Sequence, residues 1–167
     1  MDEKSDAELT PDKMIIGERN YEAAIDLVLE RAQQELLIFD QDLSKGAYHT
    51  IRRYELLRSF LSRGPQQRFV MVLQEAESFA QLCPRLNDLL RTYGHLMTIY
   101  QTTDHAKTAK DMFVIADQSH YVRRIHVDHA RFRYGFDDLE TVGMLNMRFD
   151  ELLQATSHRI SATGLGL

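Results

Sequence analysis

Three short apolar runs, "ELLIFD" (35–40), "RFVMVL" (68–73) and "LMTIYQ" (96–101), recur about thirty residues apart, and a stretch with helical spacing precedes each of them. A short run rich in apolar residues and bounded by turn residues suits a strand covered on both faces. Apolar residues three and four apart instead form one stripe of a helix. The alternation dictates βαβ units, in which each strand returns parallel to the last through a right-handed crossover. The first stripe is Ile25, Val28, Leu29 and Ala32, with Asn20 placed to cap it. The second is Ile51, Tyr54, Leu57 and Leu61, stopped by "RGP" (63–65). The third is Phe79, Leu82, Leu86, Leu90 and Tyr93, stopped by Gly94.

After residue 101 the period changes. "DMFVIAD" (111–117), "HYVRRIHV" (120–127) and "ARFRYGF" (130–136) follow one another with polar breaks too short for helices, so turns join them. Helical spacing returns over 139–156 through Val142, Leu145, Phe149 and Leu152. Met144 is counted in that stripe, and Met147 adds a side chain suited to an adaptable contact. The expected class is α/β, in the order αβαβαβ-ββ(β)-α, with a mixed, mostly parallel sheet flanked by helices. One domain is expected over residues 18–158. The acidic stretch 1–17 and the tail 159–167, ending "SATGLGL", read as flexible. A chain of 167 residues with 44% apolar content can bury one core without staples.

The formal charge of −5 argues against coating nucleic acid by bulk electrostatics. Cys83, the single cysteine, excludes an internal disulfide and a cysteine-based zinc site, and fits a reducing cytosol. The opening "MDEKSDAELTPDK" lacks the basic and apolar pattern of a targeting signal, and no window is apolar enough to span a bilayer. A cytoplasmic location and no integral membrane association are expected. No glycine pattern matches a dinucleotide or phosphate loop, and no cofactor is expected. "HVDH" (126–129) and Asp104–His105 have donor types that suit zinc or manganese but no recognisable ligand spacing, so no metal is expected.

Chemistry concentrates in "DHAKTAKDMFVIAD" (104–117). With the element order, this stretch resembles one lobe of the phospholipase D superfamily, over about residues 20–156, and uncharacterised bacterial domains of that type. Its strand carries histidine, lysine and aspartate as HxKxxxxD. The resemblance implies a histidine nucleophile at phosphorus, a lysine on the phosphoryl oxygens, and a second histidine from a paired lobe as acid. His105 and Lys107 satisfy HxK, but the acid that follows, Asp111, falls out of register. Aligning on the apolar strand instead sets Asp117 in the aspartate's place, Lys110 in the histidine's and Met112 in the lysine's. The Gly-Ser-x-Asn segment expected downstream is replaced by "HYVRRIHV".

Three functions stay open on these residues. The first is a non-catalytic phospholipase D-like module for interaction or ligand sensing, paired as a homodimer that hides the face a lone lobe exposes. The second is a phosphodiesterase with His105 as nucleophile, Lys107 as phosphate ligand and Asp111 beside them. The third is a binder of anions or phospholipid headgroups without chemistry. Candidate ligand-binding residues are Asp40, Lys110, Asp117, Arg123 and Arg124, and a phosphate-bearing ligand or a protein is the partner they suit. Strand alternation lets only one of the two arginines face the sheet interior, and Arg123 is expected there.

Overall fold

The computed structural model describes residues 9–162. Its order is β1 (Ile15–Ile16), α1 (Glu18–Arg31), β2 (Glu35–Asp40), α2 (Ile51–Leu61), β3 (Arg68–Leu73), α3 (Phe79–Leu82), α4 (Pro84–Thr92), β4 (Met97–Thr102), β5 (Met112–Ala116), β6 (His120–His126), β7 (His129–Gly135), α5 (Leu139–Gln154) and β8 (Thr156–Arg159). A 3₁₀ turn over Asp104–Thr108 stands between β4 and β5. All strands join one sheet in the order β1-β7-β6-β5-β2-β3-β4-β8.

The α/β class is as expected, the sheet is mixed, and the element order is as expected from the first helix to the last, with β1 and β8 added at the two ends. Parallel pairing, however, is confined to β2–β3 and β3–β4. The expectation of a mostly parallel sheet is corrected by β5, which runs antiparallel to β2. The reason lies in the link 103–111. It leaves the carboxyl end of β4, crosses the ends of β3 and β2, and enters β5 at the same edge of the sheet. A connection that never changes edge must return antiparallel. The Gln74 side-chain amide holds this strap by donating to the carbonyls of Ala106 and Ala109, at 3.4 and 2.8 Å.

α1, α2 and α4 supply the core on one face, where Ile25, Val28, Leu57 and Leu86 pack on Leu36, Ile38, Met71 and Ile99. α5 supplies the other, setting Val142, Leu145 and Phe149 on Phe39, Phe113 and Ile115. Met144 is solvent-exposed, which removes it from the core stripe. The first helix starts earlier than Asn20. Gly17 takes the cap position, and the Asn20 amide donates to the Ile16 carbonyl from within the helix. α2 is capped by Thr50 and α5 by Asp138, each through a side-chain oxygen that accepts a backbone N–H. The third helical stripe is broken into α3 and α4 at Cys83–Pro84, with proline in the first turn of α4.

Both ends of the expected domain continue into structure. Ile15–Ile16 pair with Phe132 and Arg131, and β8 pairs with β4. The rest of the two expected tails, residues 1–8 and 163–167, lies outside the described residues. No helix among the described residues is long and apolar enough to cross a membrane.

Candidate functional site

The carboxyl ends of β2, β3 and β4 share one edge of the sheet, where open α/β folds gather ligands. There the strap 103–111 closes a cavity of about 270 Å³. Asp42 enters it from beyond β2, Glu75 and Glu77 from beyond β3, Gln101 from β4, and Lys107 from the strap. Lys107 is paired with Asp104 at 3.3 Å. The cavity therefore presents three carboxylates to one ammonium, and no imidazole lines it. His105 lies exposed on the 3₁₀ turn. Fields of this sign repel a phosphodiester and favour a cation.

The residues expected to form a catalytic set do not meet. Asp111 is buried and accepts from Arg123 Nε at 3.0 Å and from Arg148 on α5, so both its partners come from the α5 face of the sheet. His105 and Lys107 belong to the strap. On the alternative alignment Lys110 is exposed just before β5, and the Met112 side chain is 1% exposed. On the first alignment Lys107 lines the cavity and His105 does not, and the second alignment contains no histidine.

The expected ligand-binding residues are dispersed as well. Asp117 sits at the opposite edge, in the left-handed region at φ 54°, as the first of two such residues in the β5–β6 turn. Its carboxylate accepts from the backbone N–H groups of Gln33, Gln34 and Glu35 at 2.8, 2.8 and 3.0 Å. That grip fixes the turn from α1 into β2 and uses the acceptor capacity a ligand would need.

Asp40 is 1% exposed, its Oδ1 accepting from Leu43 N–H at 2.8 Å. Burial raises its pKa to about 7. Beneath it the Tyr48 hydroxyl is buried with no hydrogen-bond partner among the described residues. Burial also pushes the Cys83 thiol up to about 12, which keeps it protonated and unreactive. The loop over Asp40 needs Gly46, at φ 86°, because a Cβ there would stand 2.8 Å from Ile25 Cδ1.

Arg123 and Arg124 lie on opposite faces, and the expectation that Arg123 points inward is corrected. Arg124 is fully buried, and it donates to both oxygens of Glu18 at 2.6 and 2.9 Å and to the carbonyls of His126 and Val127. Its guanidinium lies 5.1 Å from the Tyr21 ring centroid. The hydrogen bonds from Arg124 hold the Glu18 carboxyl below the usual carboxylate range. Arg123 keeps 37% of its side chain exposed.

Several structural partners carried no local signal: Glu18, Arg148, and Arg53, which is buried against Asp26 and the Gly46 carbonyl. Glu75 and Glu77 could have been found, since they follow a strand end at the ligand-gathering edge. A larger depression, about 740 Å³, lies at the other edge among Arg31, Arg63, His120 and Asp137, and holds none of the expected residues. Among the described residues no group of three or more His, Cys, Asp or Glu side chains is arranged to hold a metal ion.

The model of a domain of unknown function, DUF7931, matches residues 18–160. No curated protein matches the chain in sequence. Among solved structures, TrmBL2, described as an archaeal chromatin protein with a novel mode of DNA binding, superposes with a TM-score of 0.64 at 14% identity. The superposition covers 96% of this chain and 57% of that one. The phospholipase D family member Nuc from Salmonella typhimurium gives 0.64 at 7% identity, over 89% and 98% of the two chains. NucT from Helicobacter pylori gives 0.60 at 12% identity, over 86% and 96%. The fold is thus phospholipase D-like.

Proposed function

The chain belongs to the DUF7931 family, and from that premise we propose that it is a non-catalytic phospholipase D-like module, working through protein contacts as a homodimer. The observation that carries this reading is the acidic cavity at the carboxyl edge. Phosphoryl transfer by a histidine needs an imidazole within bonding reach of phosphorus and cations on the phosphoryl oxygens. Here Asp42, Glu75 and Glu77 face one lysine already paired with Asp104, and His105 stands outside. Degeneration of the HxKxxxxD motif on both alignments supports the same reading. The net charge of −5 disfavours a nucleic acid as the partner.

Hydrolysis of a generic phosphodiester such as bis(p-nitrophenyl) phosphate tests it. The wild-type chain and His105→Ala are expected to give equal, background rates. Turnover by the wild type that His105→Ala abolishes would establish the phosphodiesterase instead.

A further inference from the structure

α5 covers only part of its side of the sheet. It packs on β4, β5 and β6 and leaves the side chains that β7 and β1 send to that side in solvent. Register identifies them. Phe113, which meets Phe149 of α5 edge to face, is paired across the strands with Arg123, Arg123 with Arg133, and Arg131 with Ile16. Residues directly opposite in an antiparallel pair share a face. The uncovered strip therefore shows Arg123, Arg131 and Arg133 with Ile125 and Ile16, the last 70% exposed.

Arg123 and Arg133 set like charges directly across from each other, an arrangement that costs stability unless anions answer it. Asp111 answers Arg123. Among the described residues Arg131 and Arg133 form no ion pair. At the foot of α5 the strip deepens into a groove of about 290 Å³ lined by Tyr121, Arg123, Ile125, Arg133 and Thr141.

The outer face of α5 has the opposite character. Glu140, Met144, Met147 and Glu151 follow one another at spacings of four, three and four, which stacks them on one side of the helix. Met144 and Met147 are 67% and 68% exposed, and neither glutamate is ion-paired among the described residues. One side of the molecule thus carries a helix with acids flanking methionines, next to a strip of arginines and isoleucines that none of the described helices covers and that Asp12 borders at Gly135.

We propose that two copies of the chain pair about a two-fold axis along the seam between helix and strip, each laying its α5 onto the other's β6–β7–β1 strip. Two-fold symmetry makes the contact self-complementary, because each helix meets a strip and each strip a helix. Glu140 and Glu151 then face Arg131 and Arg133, and the unbranched methionines fill the groove beside Ile125. The proposal rests on the homodimeric reading above and specifies its surface, which lies on a sheet face rather than at the acidic edge.

Sedimentation equilibrium of the full chain tests it. The wild type is expected to be dimeric, and Arg131→Glu/Arg133→Glu and Glu140→Arg/Glu151→Arg should each weaken self-association by about tenfold or more. An equimolar mixture of the two charge-reversed chains should recover a dimer as tight as the wild type. All four positions are exposed, so unchanged far-UV circular dichroism and melting certify the fold of both variants. A wild type that stays monomeric at its solubility limit would overturn both the interface and the homodimer, while the phosphodiester assay tests catalysis independently of either. A dimer indifferent to both reversals, or two weakened variants that fail to recover on mixing, would overturn this surface alone.

Discussion

Arg123 and Arg124 are adjacent in the chain, yet the two faces of β6 treat them oppositely. On the α1 face Arg124 is 0% exposed, its donors spent on Glu18 and on two carbonyls. On the α5 face Arg123 shares Asp111 with Arg148, and the two arginine side chains stay 37% and 33% exposed. One face has a closed core that holds ions only with every partner in place. The other is half covered and lets its arginines, though not Asp111, reach water. A guanidinium that can rehydrate loses little when its partner is removed. Removing one that is buried leaves the carbonyls it serves without a donor, even though Glu18, 47% exposed, can rehydrate.

Arg124→Met provides the strongest test of that contrast. Denaturant unfolding should show a loss of about 3 kcal/mol, the cost of leaving the His126 and Val127 carbonyls without their donor. A loss under about 1 kcal/mol would mean that the closed face tolerates the change as surfaces do.

A second test uses Asp40, also on the closed face. Its folded pKa, about 7, lies above the ordinary carboxylate value, so the folded state holds a proton that the unfolded state releases. Stability attributable to this group is full in acid below the unfolded value and is lost as pH rises through about 7. Unfolding free energy should fall from about pH 5 towards pH 7 with a slope approaching about one proton and level off above it, and Asp40→Asn should flatten the slope. An unchanged slope in the variant would place the proton elsewhere.

The smallest effect belongs to the open face. Asp111→Ala should cost about 1–2 kcal/mol, because Arg123 and Arg148 turn to solvent once the carboxylate is gone. A cost matching that of Arg124→Met would erase the distinction between the two faces.

The strands β2 and β3 were legible to the residue, because apolar runs covered on both faces have few other solutions. The direction of β5 was not. It depends on which edge the strap 103–111 reaches, and nothing in "DHAKTAK" encodes that Gln74 will hold it across two strand ends. β1 and β8 were missed because a short edge strand needs no apolar run of its own. Alternation correctly sent Arg123 and Arg124 to opposite faces, but which face closes depends on Glu18, 106 residues away in the chain. The candidate site was legible as a concentration of charge. Its purpose was not, since Asp111 and Asp117 serve the frame and the acids at the carboxyl edge lie outside the stretch 104–117.

β2 sits in the interior of the sheet, between β3 and β5, although β5 is made some seventy residues after it. While a ribosome is still extending the chain, β2, β3 and β4 can assemble with the backbone of "ELLIFD" bare along one side, a template for any passing strand. Only the arrival of Met112–Ala116 seals that border, and the clasp of Asp117 on Gln33, Gln34 and Glu35 then locks it. Truncation between residues 103 and 111 should leave that border open, and sedimentation velocity should show the product sticking to itself.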